Sequence, residues 1–288
     1  MRSDLEVMRQ YYEIVLKALK ERKGNTPKEI VKNELKDDKA KLVETLLKSN
    51  GMLDLSRELY EMKKRSLNSN CFALEVKLVT PGLVGIGSGP FKAVFEVGLN
   101  LDPVLGLPYY PGSGIKGAVR SLVENYLDKG LVDKLFGDKE RSSAIDFMDM
   151  YPIGLEGNSL FKGLVTNPHY YKGGELVENE LEVNPVPVQH VGISEGTIFG
   201  LISCIKVERL EELKELLNPE KWKGKMKDLV EKIAKGNEPD SLKLVKLVAL
   251  ITIMTLKRGI AARSAKGYNY FEIFDRLKFE AKSLEVGR

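Results

Sequence analysis

Hydrophobic residues recur at helical spacing through the first 66 residues, with many charged residues between them. Leu5 and Met8, and later Leu42 and Leu46, follow this period. The pattern predicts two or three helices in an N-terminal region 1–66.

From residue 71 onwards the pattern changes to alternation of apolar and polar positions, which is typical of half-buried strands. The predicted strands are CFALEVKLVTPG (71–82), FKAVFEVGLNL (91–101), AIDFMDMYPIG (144–154), SLFKGLVTN (159–167), GTIFGLISCIKVE (196–208) and YNYFEIF (268–274). An amphipathic helix is predicted from Ile115 to Leu127 with Ser113 as its cap, and an apolar helix from 241 to 257 follows two charge-patterned helices.

The resulting order of elements is β, α, β, β, α, β with insertions. This order predicts an α+β fold with a ferredoxin-like (RRM-like) core, in which an antiparallel sheet is covered by two helices. A chain of 288 residues allows one large or two modest domains. We expect an N-terminal helical region, 1–66, and a body, 67–288, with a helical insertion near 208–257.

Composition and charge narrow the class of protein. Charged residues make up 30% of the chain and hydrophobic residues 43%, as in a soluble globular protein. The net charge of +4 lies in residues 1–66, which contain 16 Lys or Arg and 12 Asp or Glu, whereas the rest contains 29 of each. Binding of a polyanion by the body therefore requires local clusters of basic residues.

No feature of the chain predicts a membrane protein. The longest apolar stretch, 247–256, is too short to span a bilayer, and no apolar segment follows the N-terminus. We expect a cytoplasmic protein. Cys71 and Cys204 lack metal-ligand spacing and are expected to be reduced and buried.

Two cationic, glycine-punctuated segments lie about 150 residues apart, PGSGIKGAVR (111–120) and GIAARSAKGYNYF (259–271). In the first, small residues allow close approach to the backbone, and Lys116 and Arg120 lie four apart on one helix face. Phosphate groups suit such a combination of backbone N–H groups and cationic side chains.

These segments resemble those of the RAMP superfamily of CRISPR-associated RNA-binding proteins. The first is similar to a PGSSLKGALR-like segment, and the second to a GxGAKTxxGYG loop, with Ala261 and Asn269 where glycine is usual and Arg263 for lysine. The resemblance covers about 71–277 and includes LFG (135–137) and NPVPV (184–188).

The resemblance implies an RNA-binding protein with no catalytic residues, no metal and no cofactor. Within the superfamily the chain is most similar to the sixth-subunit family of type III-B (Cmr) effector complexes. That similarity implies CRISPR guide RNA and other Cmr-type subunits as partners, target RNA as an indirect partner, and a position at the end of the complex near the guide 3′ part. The residues implied in RNA binding are Gly112, Ser113, Gly114, Lys116, Arg120, Arg263, Ser264, Lys266, Gly267 and Tyr268.

The main alternative is an enzyme, a metal-independent RAMP endoribonuclease. Such an enzyme requires a general base, and His169 and His190 are the only histidines. Asp146 and Asp149 are not expected to share a metal ion, because their odd separation places them on opposite faces of a strand. The only tryptophan, Trp222, is a candidate interface anchor.

The sequence leaves the roles of two further segments undecided. The loop GLVGIGSG (82–89) lacks dinucleotide-binding spacing and is either a site of RNA approach or a plain hairpin loop. The N-terminal helices either pack on the body or dock on a neighbouring subunit, and their mixture of apolar and charged positions favours docking.

Overall fold

The computed structural model describes residues 36–85, 98–166, 171–172, 175–176 and 188–274, with helical positions at 9, 10, 12, 13, 16, 17 and 20. The predicted strand 91–101 lies mostly outside the described residues, as does His169.

The described elements include both helices and strands, so the fold is of the mixed type predicted. In chain order they are α1 (Lys36–Lys48), α2 (Leu53–Arg65), β1 (Cys71–Leu78), α3 (Gly112–Val123), α4 (Lys129–Phe136), β2 (Ile145–Phe147), β3 (Tyr151–Leu155), β4 (Phe161–Thr166), β5 (Tyr171–Lys172), β6 (Glu175–Leu176), β7 (Val188–Ile193), β8 (Thr197–Ile205), α5 (Leu210–Leu213), α6 (Lys225–Ala234), α7 (Asp240–Leu256) and β9 (Phe271–Ile273). Short 3-10 turns lie at Val207–Arg209, Lys214–Leu217, Pro219–Lys221 and Ser264–Lys266.

The chain forms two compact units. One comprises Met1–Met52, Pro81–Pro108 and Gly157–Ser194, and the other comprises Leu53–Thr80, Tyr109–Glu156 and Glu195–Arg288. The predicted boundary near residue 66 falls inside the second unit.

The second unit is built on an antiparallel sheet in the order β9, β1, β8, with β2 and β3 both paired to the far side of β8. Along β1, buried and half-buried residues alternate, as the sequence predicts. Phe72, Leu74, Val76 and Leu78 are the buried set, all on one face of the sheet.

Helices cover both faces of this sheet. Helices α3 and α7 pack on each other, with α3 against β2 and α7 against β1 and β9. Helix α2 packs on β3 and β8, where Tyr60 joins a cluster with Ile153, Ile198 and Ile202. The Tyr60 hydroxyl donates a hydrogen bond to the Leu74 carbonyl oxygen at 3.2 Å. Helix α2 therefore packs on its own body, the first of the two roles left open for it, and docking on a neighbouring subunit stays a prediction.

The two cysteines form a disulfide, so the expectation that they are reduced is wrong. Cys71 and Cys204 are paired residues on adjacent strands, β1 and β8, with their Cα atoms 4.0 Å apart. Strand pairing brings these positions together across 133 residues of chain. A sequence without a known register does not reveal that proximity.

The first unit contains α1 and two small antiparallel pairs of strands, β4 with β7 and β5 with β6. Helix α1 packs against β4, and Ser159 donates a hydrogen bond to the Leu47 carbonyl oxygen. Gly82, at the start of the GLVGIGSG loop, bridges to Ile193 at the end of β7.

Within the helical insertion near 208–257, the side chain of Trp222 is buried. Trp222 is 3% exposed, and its ring N–H donates to the Leu216 carbonyl oxygen at 2.8 Å. Its proposed role as an interface anchor is therefore wrong, because its side chain lies in the protein interior. No helix in the described part of the chain has the length and apolar character needed to cross a membrane.

Candidate nucleic-acid interface

Helix α3 starts earlier than predicted, and its first turn binds a carboxylate of the same chain. Its N-cap is Pro111, so Ser113 is an exposed residue inside the helix and not the cap. The Gly112 N–H donates to Asp149 Oδ1 at 2.7 Å, and a Cβ at Gly112 would overlap the carbonyl oxygen of Phe147. Gly112 is thus required for close approach of the chain at 147–149, and the anion at this helix end is Asp149.

The next turn of α3 is open. Gly114 and Gly117 are exposed, and no atom lies within 4 Å of the position that a Cβ would occupy on either residue. Lys116 is half-buried between them and forms no ion pair or hydrogen bond with any residue that the structure describes. This turn is a surface free of large side chains with a cation beside it.

Arg120, one turn further on, lies among acceptors of its own unit. Its guanidinium donates to Asp133 Oδ1 at 2.6 Å, the Gly137 carbonyl oxygen at 2.7 Å and Glu124 Oε1 at 2.9 Å. The hydrogen bond to Glu124, and then that to Asp133, raises the pKa of Arg120. Arg120 therefore connects the end of α3 to the C-terminal end of α4. Its guanidinium is not part of the open surface beside Lys116.

The second cationic segment forms a compact loop after α7. A 3-10 turn, Ser264–Lys266, lies between Arg263 and Gly267, whose φ angles of 58° and 88° are both left-handed. Lys266 and Gly267 are exposed, and Arg263, Ser264 and Tyr268 are half-buried. The φ of Gly267 is one that residues with a side chain rarely adopt.

Arg263 and two further residues of this loop adopt left-handed conformations without being glycine. Ala261 has a φ of 60° and Asn269 a φ of 63°, and these are the positions where the RAMP-like motif has glycine. Asparagine tolerates this region, whereas alanine loses about 1–2 kcal/mol there. The loop therefore keeps a glycine-type backbone shape although two of the glycines are replaced.

A buried hydrogen bond connects the two segments. The Tyr110 hydroxyl, just before the first segment, donates to Asn269 Oδ1 at 2.8 Å, and both residues are fully buried. The sequence motifs do not include Tyr110, and they mark Asn269 only as a position where glycine is usual. The aromatic pair before PGSG was the available signal, but the sequence does not show that it faces a residue 159 positions away.

Of the residues considered for catalysis, the structure describes His190 in the first unit and Asp146 and Asp149 in the second. His190 lies on β7 in the first unit and is 3% exposed. Asp146 faces Lys206 at 3.9 Å, and Asp149 accepts from Gly112. The described ranges contain no group of three or more His, Cys, Asp or Glu side chains placed to bind a metal ion.

The comparisons with known proteins agree on one family. The family model of the RAMP superfamily matches residues 75–268. The chain is 29% identical over 265 residues to "CRISPR system CMR subunit Cmr6" of Saccharolobus solfataricus, covering 91% of this chain and 78% of the relative.

Solved structures extend the comparison. A chain of the "Cryo-EM structure of the Type III-B Cmr-beta bound to cognate target RNA" superposes with a TM-score of 0.62 at 25% identity, covering 95% of this chain and 88% of the other. Cmr6 from Pyrococcus furiosus matches with a TM-score of 0.40 at 14% identity, covering 71% of this chain and 98% of the other, which is too low to support an argument.

Proposed function

The chain belongs to the RAMP superfamily, and from that premise we propose that it is the Cmr6-type subunit of a type III-B CRISPR effector complex, which binds guide RNA without cleaving it. The similarity to a Cmr6 protein over 91% of the chain and to a chain of a Cmr complex bound to target RNA supports this proposal. We further propose that this subunit caps the complex near the guide 3′ end and takes part in antiviral defence.

The sheet topology supports the finer fold assignment. The core elements run β1, α3, β2/β3, β8, α7, β9, and the strands lie in the order β9, β1, β8, β2/β3 with all neighbours antiparallel. We infer a ferredoxin-like RAMP core from this arrangement, with α2 as an additional cover on the opposite face.

The open turn of α3 is the observation that carries the RNA-binding proposal. Phosphate groups approach a helix most closely where side chains are absent, as at Gly114 and Gly117, and Lys116 supplies a cation there that no described residue neutralises. Ser113 is exposed on the same turn.

The loop after α7 supplies the second half of the proposed surface. Its φ is positive at Ala261 and Arg263 and not at Ala262 between them. Such alternation is the backbone pattern of N–H nests that bind anions. Arg263 and Lys266 add positive charge, and Ser264, Gly267 and Tyr268 complete the loop that faces the RNA.

Contacts of this kind bind the RNA backbone and therefore carry little sequence information. Arg120 belongs to the proposed site as a structural support of α3, because three acceptors of its own unit surround its guanidinium. The other proposed partners are Cmr-type subunits, with target RNA reached through the guide. The proposal includes a cytoplasmic location and requires no metal or cofactor.

RNA-binding measurements over a range of salt concentrations test the surface. Replacing Lys116 and Lys266 by alanine should weaken guide-RNA binding and lower the salt slope by about 0.7 for each lost phosphate contact. Lys232→Ala is the matched control, because Lys232 is exposed on α6 in the helical insertion. An unchanged slope in the double variant would remove this surface from the RNA site.

Incubation of labelled guide RNA with the pure protein tests the absence of catalysis. We expect intact RNA in the presence of a chelator. Cleavage that disappears in His169→Ala or in His190→Ala would establish the endoribonuclease alternative instead.

A further inference from the structure

Asn269 uses both ends of its side-chain amide. Oδ1 accepts a hydrogen bond from the Tyr110 hydroxyl at 2.8 Å, and Nδ2 donates to the Ala262 carbonyl oxygen at 2.6 Å. Its backbone carbonyl also accepts from the Ile260 N–H at 3.2 Å. One buried residue therefore closes the base of the loop and connects that base to another part of the chain.

Tyr110 is a fixed anchor for this connection. Its backbone N–H and carbonyl both pair with Met150, and its ring packs edge-to-face on Phe199 of β8 and Phe271 of β9. Burial raises the pKa of Tyr110, so the hydroxyl remains a protonated donor. The hydrogen bond to Asn269 thus originates from the core of the sheet.

The residues of the second half of the proposed RNA surface lie inside the loop that Asn269 closes. Arg263 and Lys266 lie between Ala262 and Asn269, together with Ser264, Gly267 and Tyr268. The backbone of this loop repeatedly adopts left-handed conformations that side chains disfavour. Such a shape persists only where surrounding contacts determine it.

We propose that Tyr110 and Asn269 are positioning residues, which hold the loop 262–269 in the shape that presents Arg263 and Lys266 to RNA. This inference rests on the proposed RNA-binding function and goes beyond it by assigning a role to two buried residues that do not contact RNA. Their effect on affinity comes from ordering the loop before RNA binds, so that binding does not bear the entropic cost of ordering it.

Asn269→Gly is the informative variant. Glycine accepts the left-handed φ of 63°, so the backbone conformation is allowed while both side-chain hydrogen bonds are lost. We expect guide-RNA binding to weaken about tenfold, as for the loss of one or two hydrogen bonds. Hydrogen exchange of residues 260–269 should become faster at a temperature where circular dichroism shows the protein to be folded.

A second background distinguishes positioning from a general structural role. In a protein that already carries Arg263→Ala and Lys266→Ala, Asn269→Gly should cause a much smaller further loss of RNA affinity, because the two cations that it positions are absent. Its effect on the unfolding midpoint should be the same in both backgrounds.

Tyr110→Phe provides an independent check, since it keeps the aromatic packing and removes only the hydroxyl. It leaves Asn269 Oδ1 without this donor, so adding Asn269→Gly should recover part of the lost stability but none of the lost RNA affinity.

The outcomes separate the two proposals. Equal losses of RNA affinity from Asn269→Gly in both backgrounds, or no loss in either, would overturn the positioning role. If replacing Arg263 and Lys266 leaves RNA binding unchanged, the proposed RNA surface is itself wrong, and the positioning role is overturned with it.

Discussion

Residues of the same motif have different roles in this protein. Lys116 and Arg120 lie four apart on α3 and have the same charge, yet Lys116 lies beside an open surface and Arg120 is surrounded by Asp133, Glu124 and the Gly137 carbonyl. Their spacing predicts one shared helix face, but acceptors of its own unit surround the guanidinium of Arg120. The difference comes from α4, which places acceptors beside one residue only.

Replacing Arg120 by alanine should mainly affect stability, whereas replacing Lys116 by alanine should mainly affect RNA binding. Arg120→Ala should lower the free energy of unfolding by about 1–3 kcal/mol, because it leaves a half-buried carboxylate and a carbonyl without their donor. Lys116→Ala should change stability by less than about 0.5 kcal/mol and weaken RNA binding. Denaturant unfolding and RNA titration of both variants check this, and equal stabilities would contradict the structural role of Arg120.

Replacing Gly112 or Gly117 of α3 by alanine should change the stability of the protein in opposite directions. Gly117→Ala should stabilise the protein by about 0.5–1 kcal/mol, since a Cβ meets open space and alanine favours helix. If phosphates approach this turn, the same methyl group should weaken RNA binding. Gly112→Ala should instead be destabilising, because its Cβ would overlap the carbonyl of Phe147. Thermal unfolding of both variants gives the signs, and a Gly117→Ala protein with unchanged RNA affinity would argue against close approach.

At the scale of elements, α2 is the clearest departure from the sequence-based organisation. Its periodicity assigned it to a separate N-terminal region, but it covers the β3 and β8 part of the sheet in the second unit. Ser56 donates to the Pro152 carbonyl oxygen at 2.6 Å, and the Lys64 ammonium lies 2.8 Å from a Glu75 carboxylate oxygen. Without α2, the apolar residues of that sheet face would be exposed to water.

Two substitutions on α2 test its packing. Tyr60→Ala should cost about 3–5 kcal/mol of stability, as for other large aromatic residues removed from a core. Met62→Ala, two residues on, should change stability by no more than about 0.5 kcal/mol, because Met62 is 61% exposed. Urea unfolding of the two full-length variants compares them. Similar losses would mean that α2 does not pack on the sheet as described.

At the scale of the whole molecule, distant parts of the chain are connected within the second unit by the central strands. The Cys71–Cys204 disulfide crosslinks β1 to β8. A crosslink across 133 residues restricts the unfolded chain more than a short one does.

Reduction of the disulfide should therefore lower stability. We expect a loss of about 2–5 kcal/mol in the presence of a reductant that reaches the bond. Guanidinium unfolding with and without reductant measures it. A Cys71→Ala/Cys204→Ala protein is the control and should be insensitive to reductant; an equal response of both proteins would show that the disulfide is not the cause.

The sequence alone predicted β1, α3, β4, β8, α7 and β9 and the character of the two cationic segments, but not α4 or β5 to β7. Alternation along β1, the nearly continuous apolar run of β8, the apolar length of α7 and the glycine punctuation of both segments are local properties, expressed within one element each. The strand 268–274 was placed well but shortened to Phe271–Ile273, because the loop before it continues through Asn269.

Tertiary structure alone decided which residues meet. The disulfide, the partners of Arg120, the capping of Gly112 by Asp149 and the bond between Tyr110 and Asn269 all join residues that only the folded chain brings together. Hydrogen bonds and disulfides act over a few ångströms, so they depend on register and packing, which a single sequence does not specify at residue precision. For this reason the motifs identified the two segments, and only the fold showed that Gly112 and Arg120 have partners within the chain.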